Sequence, residues 1–360
     1  MKSVFDPILI GNLQVKNRIV RSATAEMFAD EEKLLIGDYL SLYRSLAEGG
    51  VGTIITGLIA VDRNARVRQW MPRADSDSFI EDFRSIADAV HAHGCKIVVQ
   101  LAHSGGMNRM TEGDDRPMSA SEITMIPDKP AREMTKQDIA DVVESYAKAA
   151  AICKEADADG VQIHGAHGYL VTQFLSPFYN KRTDNYGGGI ENRGRIVIEM
   201  VDAMRDKTGD DYPLWIKINC KDLVEESITP AEFIWLCKEL EKHGLNAIEV
   251  SAGVVFNSDT VPFKMIRDEA DEGTFAPEAL TLAEEVSIPV ISTGGFRTPD
   301  VIDGWLNKGH IAAIGLCRPL ICEPGLINRW QAGDKGKARC LSCNKCLMPK
   351  DGFGCKAFPA

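Results

Sequence analysis

Two histidines three residues apart, His164 and His167, with Tyr169 two positions on, follow an apolar run in the stretch VQIHGAHGYL. No carboxylate or third histidine stands at metal-ligand spacing, and HGAHG is not H-E-x-x-H, so zinc chemistry is not signalled. At a strand end such a pair instead donates hydrogen bonds to a substrate oxygen, and Tyr169 is placed to supply a proton. A second set lies further on: Gly294–Gly295 in PVISTGG and Cys317–Arg318 in AAIGLCR. Free backbone N–H groups beside a guanidinium are the make-up of a phosphate site. Lys217 sits inside the apolar run LWIKINC, where a bare ammonium is costly. It must meet an anion or electron-rich ligand edge, or a carboxylate of the fold such as Glu249 in AIEVSAG.

These residues need a frame that brings them together. Eight short β-branched runs recur, at 17–23, 52–58, 96–102, 160–166, 214–220, 247–253, 289–295 and 312–318. Each is nearly continuously apolar, as parallel strands buried on both faces are. Amphipathic segments lie between them, such as DSFIEDFRSIADAVHAHG and TPAEFIWLCKELEKHG, both expected to end at their glycine. Eight βα units predict a (β/α)8 barrel of the α/β class, a TIM barrel with a short N-terminal cap. An open doubly wound sheet is the alternative, but no run is followed by G-x-G-x-x-G opening a helix. In a barrel the chemistry lies at the C-terminal ends of the strands. That end holds Gln100 and His103 on the third, the histidine pair on the fourth, and the glycine and arginine sets on the last two. Residues from Met107 to Thr135, rich in Pro, Asp and Ser, are expected to form a long loop over that face.

Composition narrows the class. The 360 residues suit one such barrel, and 44% hydrophobic residues support a large core. A net charge of −11 argues against a nucleic-acid partner. VGTIITGLIAV is too short to span a bilayer, so no membrane partner is expected. MKSVFDPILIGNL has no basic region followed by an apolar one, so no signal peptide and a cytoplasmic location are expected. Of ten cysteines, six are scattered singly, as reduced thiols are. The other four crowd into CLSCNKCLMPKDGFGC. Cys340, Cys343 and Cys346 at two-residue spacing, with Cys355 beyond, suit an iron–sulfur cubane, [4Fe–4S]. A zinc staple and a set of reduced thiols are the alternatives. The organisation expected is a barrel over 1–335 and a cysteine-rich tail over 336–360.

HGAHGYLVTQFLSPFYNKRTDNYGGGIENRGR resembles the signature of the old yellow enzyme family of FMN-dependent NADH:flavin oxidoreductases. FDPILIGNLQVKNRIVRSAT, QLAHSGG, PVISTGGF and IGLCRPLICEP are similar to other segments of that family, in the same order. The resemblance implies FMN across the barrel mouth. The backbone of Ser22, Ala23 and Thr24 would line its ring, Gln100 would bond its pyrimidine edge, and Lys217 would face its N1/O2 region. Gly294, Gly295, Cys317 and Arg318 would hold its phosphate. NAD(P)H would reduce the flavin. An enone-type substrate held by His164 and His167 would then take hydride, with Tyr169 as proton donor. Ala25 and Gly106 depart from the residues common there. RSAT is closer to the branch of dienoyl-CoA reductases and amine dehydrogenases, whose second domain is expected to be missing here. Three alternatives stay open: oxidative amine demethylation, a non-redox barrel with Lys217 as a Schiff-base lysine, and electron transfer through the cysteine tail. The partners expected are a small-molecule substrate, with a separate electron-donor protein and a homo-oligomer left open.

Overall fold

The computed structural model describes residues 1–29, 37–111, 116–254, 265–347 and 353–358. Eight parallel strands close a barrel in chain order: Ile19–Arg21, Thr53–Ala60, Lys96–Ala102, Gly160–Gly165, Leu214–Asn219, Ala247–Ser251, Val290–Ser292 and Ile311–Leu316. The last returns to the first, with Gly315 opposite Val20. Each of the eight runs expected from the sequence is one of these strands. Burial on both faces is why they read as unbroken apolar runs rather than as alternating ones.

Helices cover the outside. Pro230–Lys242 shows how sequence sets their ends. Thr229 accepts from the Glu232 N–H while Glu232 reaches back to the Thr229 N–H, and Pro230 opens the first turn. Gly244, at φ +91°, follows the capping residue His243. The helix Asp77–His91 ends differently. Its chain tightens through Ala92 and His93 before Gly94 takes the left-handed turn at φ +62°.

Two small sheets dress the barrel. The hairpin Ile8–Ile10 and Leu13–Val15 is the expected N-terminal cap, and it packs Ile10, Leu13 and Val15 against the barrel's inner apolar residues. These are Val20, Ile55, Val98, Trp215, Ala247, Ile291 and Ala313, all buried. The long loop expected between Met107 and Thr135 is corrected by the structure. It contains a three-stranded sheet of Met118–Ser119, Ile123–Ile126 and Lys129–Glu133. Pro127 and Asp128 make its tight turn, with Ile126 opposite Lys129 and Asp128 at φ +61°. No helix among the described residues is long and apolar enough to cross a membrane. Because Ile291 fills the barrel interior with no exposure, Ile291→Ala should cost about 2–5 kcal/mol, read from the urea midpoint.

Candidate active site

The site follows from the two-residue period of the strands. Directly above the inner apolar layer, the next inward positions are polar. Val20 is succeeded by Ser22, Val98 by Gln100, Trp215 by Lys217, and Ala247 by Glu249 and then Ser251, while Ala313 is followed by the side-chain-free Gly315 and then Cys317. Strand register sets Lys217 beside both His164 and Glu249, and Gln100 beside Gln162.

One connected network results. Lys217 Nζ donates to Ser22 Oγ at 2.8 Å and lies 3.2 Å from Glu249 Oε1. Ser22 Oγ donates to the same carboxylate oxygen at 2.5 Å. Gln162 Nε2 donates to Glu249 Oε2 at 2.8 Å, and Gln100 Nε2 donates to Gln162 Oε1 at 2.7 Å. Lys217 therefore does pair with the fold carboxylate that the sequence offered it.

Beside this network opens a cleft. Ser22, Ala23, Lys217 and His167 line one end, and Gly294, Gly295, Cys317 and Arg318 the other. Gly294 has φ +123° and Gly295 φ +82°. The Gly294 carbonyl accepts from the Gly273 and Thr274 N–H groups, at 2.8 and 2.9 Å. No described residue accepts from the N–H of either Gly294 or Gly295. Two N–H groups without acceptors, facing a cleft lined by the buried guanidiniums of Arg297 and Arg318, are what an anion requires. Thr24 braces this end from behind, with Oγ1 2.8 Å from Cys317 Sγ.

At the other end the histidine pair and Tyr169 meet. His164 lies edge-on to His167 at 5.3 Å between ring centroids and to Tyr169 at 4.7 Å. His167 takes the left-handed backbone at φ +63°. It is held there by its N–H to Asn219 Oδ1 at 3.3 Å and by Nε2 against Ser251 Oγ at 2.8 Å. Burial, then the Lys217 charge, pulls His164 down to about 3. Burial, His164 and Lys217 hold His167 well below the ordinary imidazole range. Both rings are thus neutral near pH 7 and carry one N–H each. His164 Nδ1 is buried without a partner. Burial pushes the Tyr169 phenol above its ordinary range, which keeps it protonated. His103, by contrast, lines a separate cleft with Asp62 and Asn64.

The pattern of the NADH:flavin oxidoreductase / NADH oxidase family matches residues 3–336. The chain belongs to this family. It is 36% identical over 350 residues to a metal reductase of Desulforamulus reducens, covering 96% of this chain and 52% of that protein. It is 33% identical over 323 residues to an NADPH dehydrogenase of a Geobacillus species, covering 89% of this chain and 91% of that one. Among solved structures, a 2-naphthoyl-CoA reductase complex superposes with TM-score 0.89 at 26% identity, over 99% of this chain and 57% of the other. The chain spans about half the length of the first of these curated relatives and nearly all of the second.

FMN and NAD(P)H are the family's cofactors, and the residues present fit FMN. The N–H groups of Gly294 and Gly295 with Arg297 and Arg318 answer a phosphate. Lys217 answers an electron-rich ring edge, and Gln100 keeps Oε1 without a donor among the described residues. Two of the site's residues carried no sequence signal. Arg297 lies in GGFRTPD, which reads as a helix approach, and Ser342 lies in the tail; both line the cleft.

The tail also reaches the cleft. Arg318 Nη1 donates to Ser342 O at 3.3 Å and to Asn344 Oδ1 at 2.6 Å, and Arg297 Nη1 to Cys340 O at 3.1 Å. The segment thereby lies against the cleft's anion end. Among the described residues, no three His, Cys, Asp or Glu side chains are gathered as a metal ion needs. Cys340, Cys343, Cys346 and Cys355 are free thiols, and burial pushes Cys346 up to about 12. Residues 348–352, between Cys346 and Cys355, lie outside the described residues, and no chemical step is derived through an iron–sulfur or zinc centre.

Two outcomes follow. A Cβ at Gly294 would stand 2.7 Å from Thr274 N, on a backbone that L residues avoid. Gly294→Ala should therefore weaken FMN at least roughly tenfold in a fluorescence titration. For pH, unfolded histidines take up protons near pH 6.5 while His164 stays neutral down to about 3. Stability should thus fall as pH drops below about 6.5, by about 1.4 kcal/mol per pH unit for each such histidine. Urea midpoints between pH 7 and 5 should show a shallower slope in His164→Asn.

Proposed function

We propose that the protein is an FMN-dependent NAD(P)H oxidoreductase that reduces activated C=C bonds of enone-type substrates. The observation that carries this is the pair of buried, neutral histidines next to a protonated tyrosine, at the mouth that also holds Lys217. FMN, when bound, supplies the hydride chemistry. The chain's own residues do the rest. His164 and His167, each with one N–H, meet a carbonyl oxygen where negative charge builds in the transition state. Their neutrality suits hydrogen-bond donation without a competing acid. Tyr169 keeps its proton until the substrate's α-carbon takes it. The cleft's glycines and arginines hold the cofactor's phosphate, and burial excludes water from the ring end.

Lys217 is placed against the Schiff-base alternative, since it is engaged by Ser22 and Glu249 rather than presented as a free amine. The histidine pair favours a carbonyl-bearing acceptor over an amine. The test compares turnover of 2-cyclohexenone with oxidation of trimethylamine by the FMN-loaded protein. Enone reduction is expected; amine oxidation without it would overturn the proposal. Tyr169→Phe should slow reoxidation by the enone at least about 10²-fold in stopped flow, while NADPH still bleaches the flavin at near the original rate.

A further inference from the structure

Glu249 has no exposure, yet three donors converge on it: Ser22 Oγ at 2.5 Å, Lys217 Nζ at 3.2 Å and Gln162 Nε2 at 2.8 Å. A carboxylate can only accept, so the order of every amide beyond it is decided. Gln162 must turn its NH₂ toward Glu249, which leaves its Oε1 toward Gln100. Gln100 must then turn its own NH₂ toward Gln162, at 2.7 Å, which leaves Gln100 Oε1 with no donor among the described residues. Gln100, Gln162 and Glu249 are all buried, so water does not scramble this order. The same carboxylate lies against Lys217 and offsets much of its charge.

We propose that Glu249 is the positioning residue of the flavin site, presenting a half-neutralised cation at one edge of the ring and, through Gln162, a preset hydrogen-bond acceptor at the other. The proposal rests on the flavin assignment of this cleft. Its consequences have opposite signs. FMN gains two electrons and one proton to become an anionic reduced ring. A lone Lys217 would favour that anion, and Glu249 beside it disfavours it. Glu249 therefore holds the midpoint potential down. At the Gln100 edge it strengthens binding, because the ring's imide N–H meets an acceptor that needs no reorientation.

The experiment is a spectroelectrochemical titration of the FMN-loaded wild type and Glu249→Gln, which keeps the side chain's shape. A shift of at least tenfold in the two-electron equilibrium toward reduced flavin is expected, about 30 mV more positive. A merely structural role would loosen FMN without raising its potential. Lys217→Met alone should lower the potential. If Glu249→Gln does not fold, Gln162→Leu tests the amide order alone. It should bind FMN about tenfold more weakly, with a potential near that of wild type. An unchanged or lowered potential in Glu249→Gln, or unchanged FMN affinity in Gln162→Leu, overturns the proposal. A wild-type protein that takes up no FMN would instead overturn the flavin assignment itself.

Discussion

A charge buried in a barrel whose floor is hydrocarbon sets the terms for this site. Lys217 is 5% exposed and Glu249 fully buried, directly above Trp215, Ala247 and Ile291. Two ions taken out of water cost several kcal/mol each unless their remaining hydrogen-bonding capacity is met. Here it is met by residues on other strands. Ser22 bridges the pair from the first strand, and Gln162 and Gln100 extend the chain along the fourth and third. The network exists only if all these strands keep their register, since a slip of one residue would turn its members out of the barrel. The closed, in-order barrel and the polar layer therefore depend on each other.

The same buried cation reaches the chemistry at the other edge of the mouth. Lys217 stands in register with His164, and its charge adds to burial in keeping both imidazoles neutral. One lysine thus supplies a cation facing the cleft and withholds protons from the pair beside it. His167 occupies a backbone region that costs a non-glycine residue of order 1–3 kcal/mol, and Asn219 and Ser251 over-determine it there. Asn219 is itself fixed by bonds to Asp222 and the Gly253 carbonyl. The strain is stored where a side chain has to be aimed, at the end of a strand rather than along it.

How much of this was legible depended on whether a residue's role was local. The eight strands were, because parallel burial writes continuous apolar runs, and so was the Lys217–Glu249 pairing, because a buried ammonium needs a counter-charge. The histidine pair and the double glycine announced themselves at strand ends. The sheet at 118–133 did not. Its strands are short, and the Pro127–Asp128 turn relies on an aspartate, not a glycine, for its positive φ. Gln162 was invisible for another reason: one polar residue in an apolar run says nothing about which way its amide points until its neighbours are known. Arg297 meets the Cys340 carbonyl 43 residues on, and Ser342 meets Arg318 24 residues back, so no spacing rule connects them. The cysteine spacing was conspicuous, but five residues inside that segment, 348–352, lie outside the described residues.

That tail shows why whole-chain charge is a poor guide to a site. The protein carries −11 overall, yet Lys217, Arg297 and Arg318 all line its cleft. Arg297 and Arg318 cannot be left bare in a space so little exposed. Among their partners in the folded chain are the Cys340 and Ser342 carbonyls and the Asn344 amide oxygen, which are neutral acceptors. Neutral acceptors satisfy guanidinium N–H groups without cancelling their charge. A carboxylate in their place would have filled the hydrogen bonds and extinguished the attraction. Glu272 shows the contrast. It is spent on the Arg297 and Thr298 backbone N–H groups and lies 3.9 Å from the Arg297 side chain, too far for a hydrogen bond to it. The difference between the two ends of the cleft is then a difference in neighbours. Lys217 meets its carboxylate at contact, whereas Arg297 meets Glu272 only at 3.9 Å and donates its hydrogen bond to the Cys340 carbonyl instead.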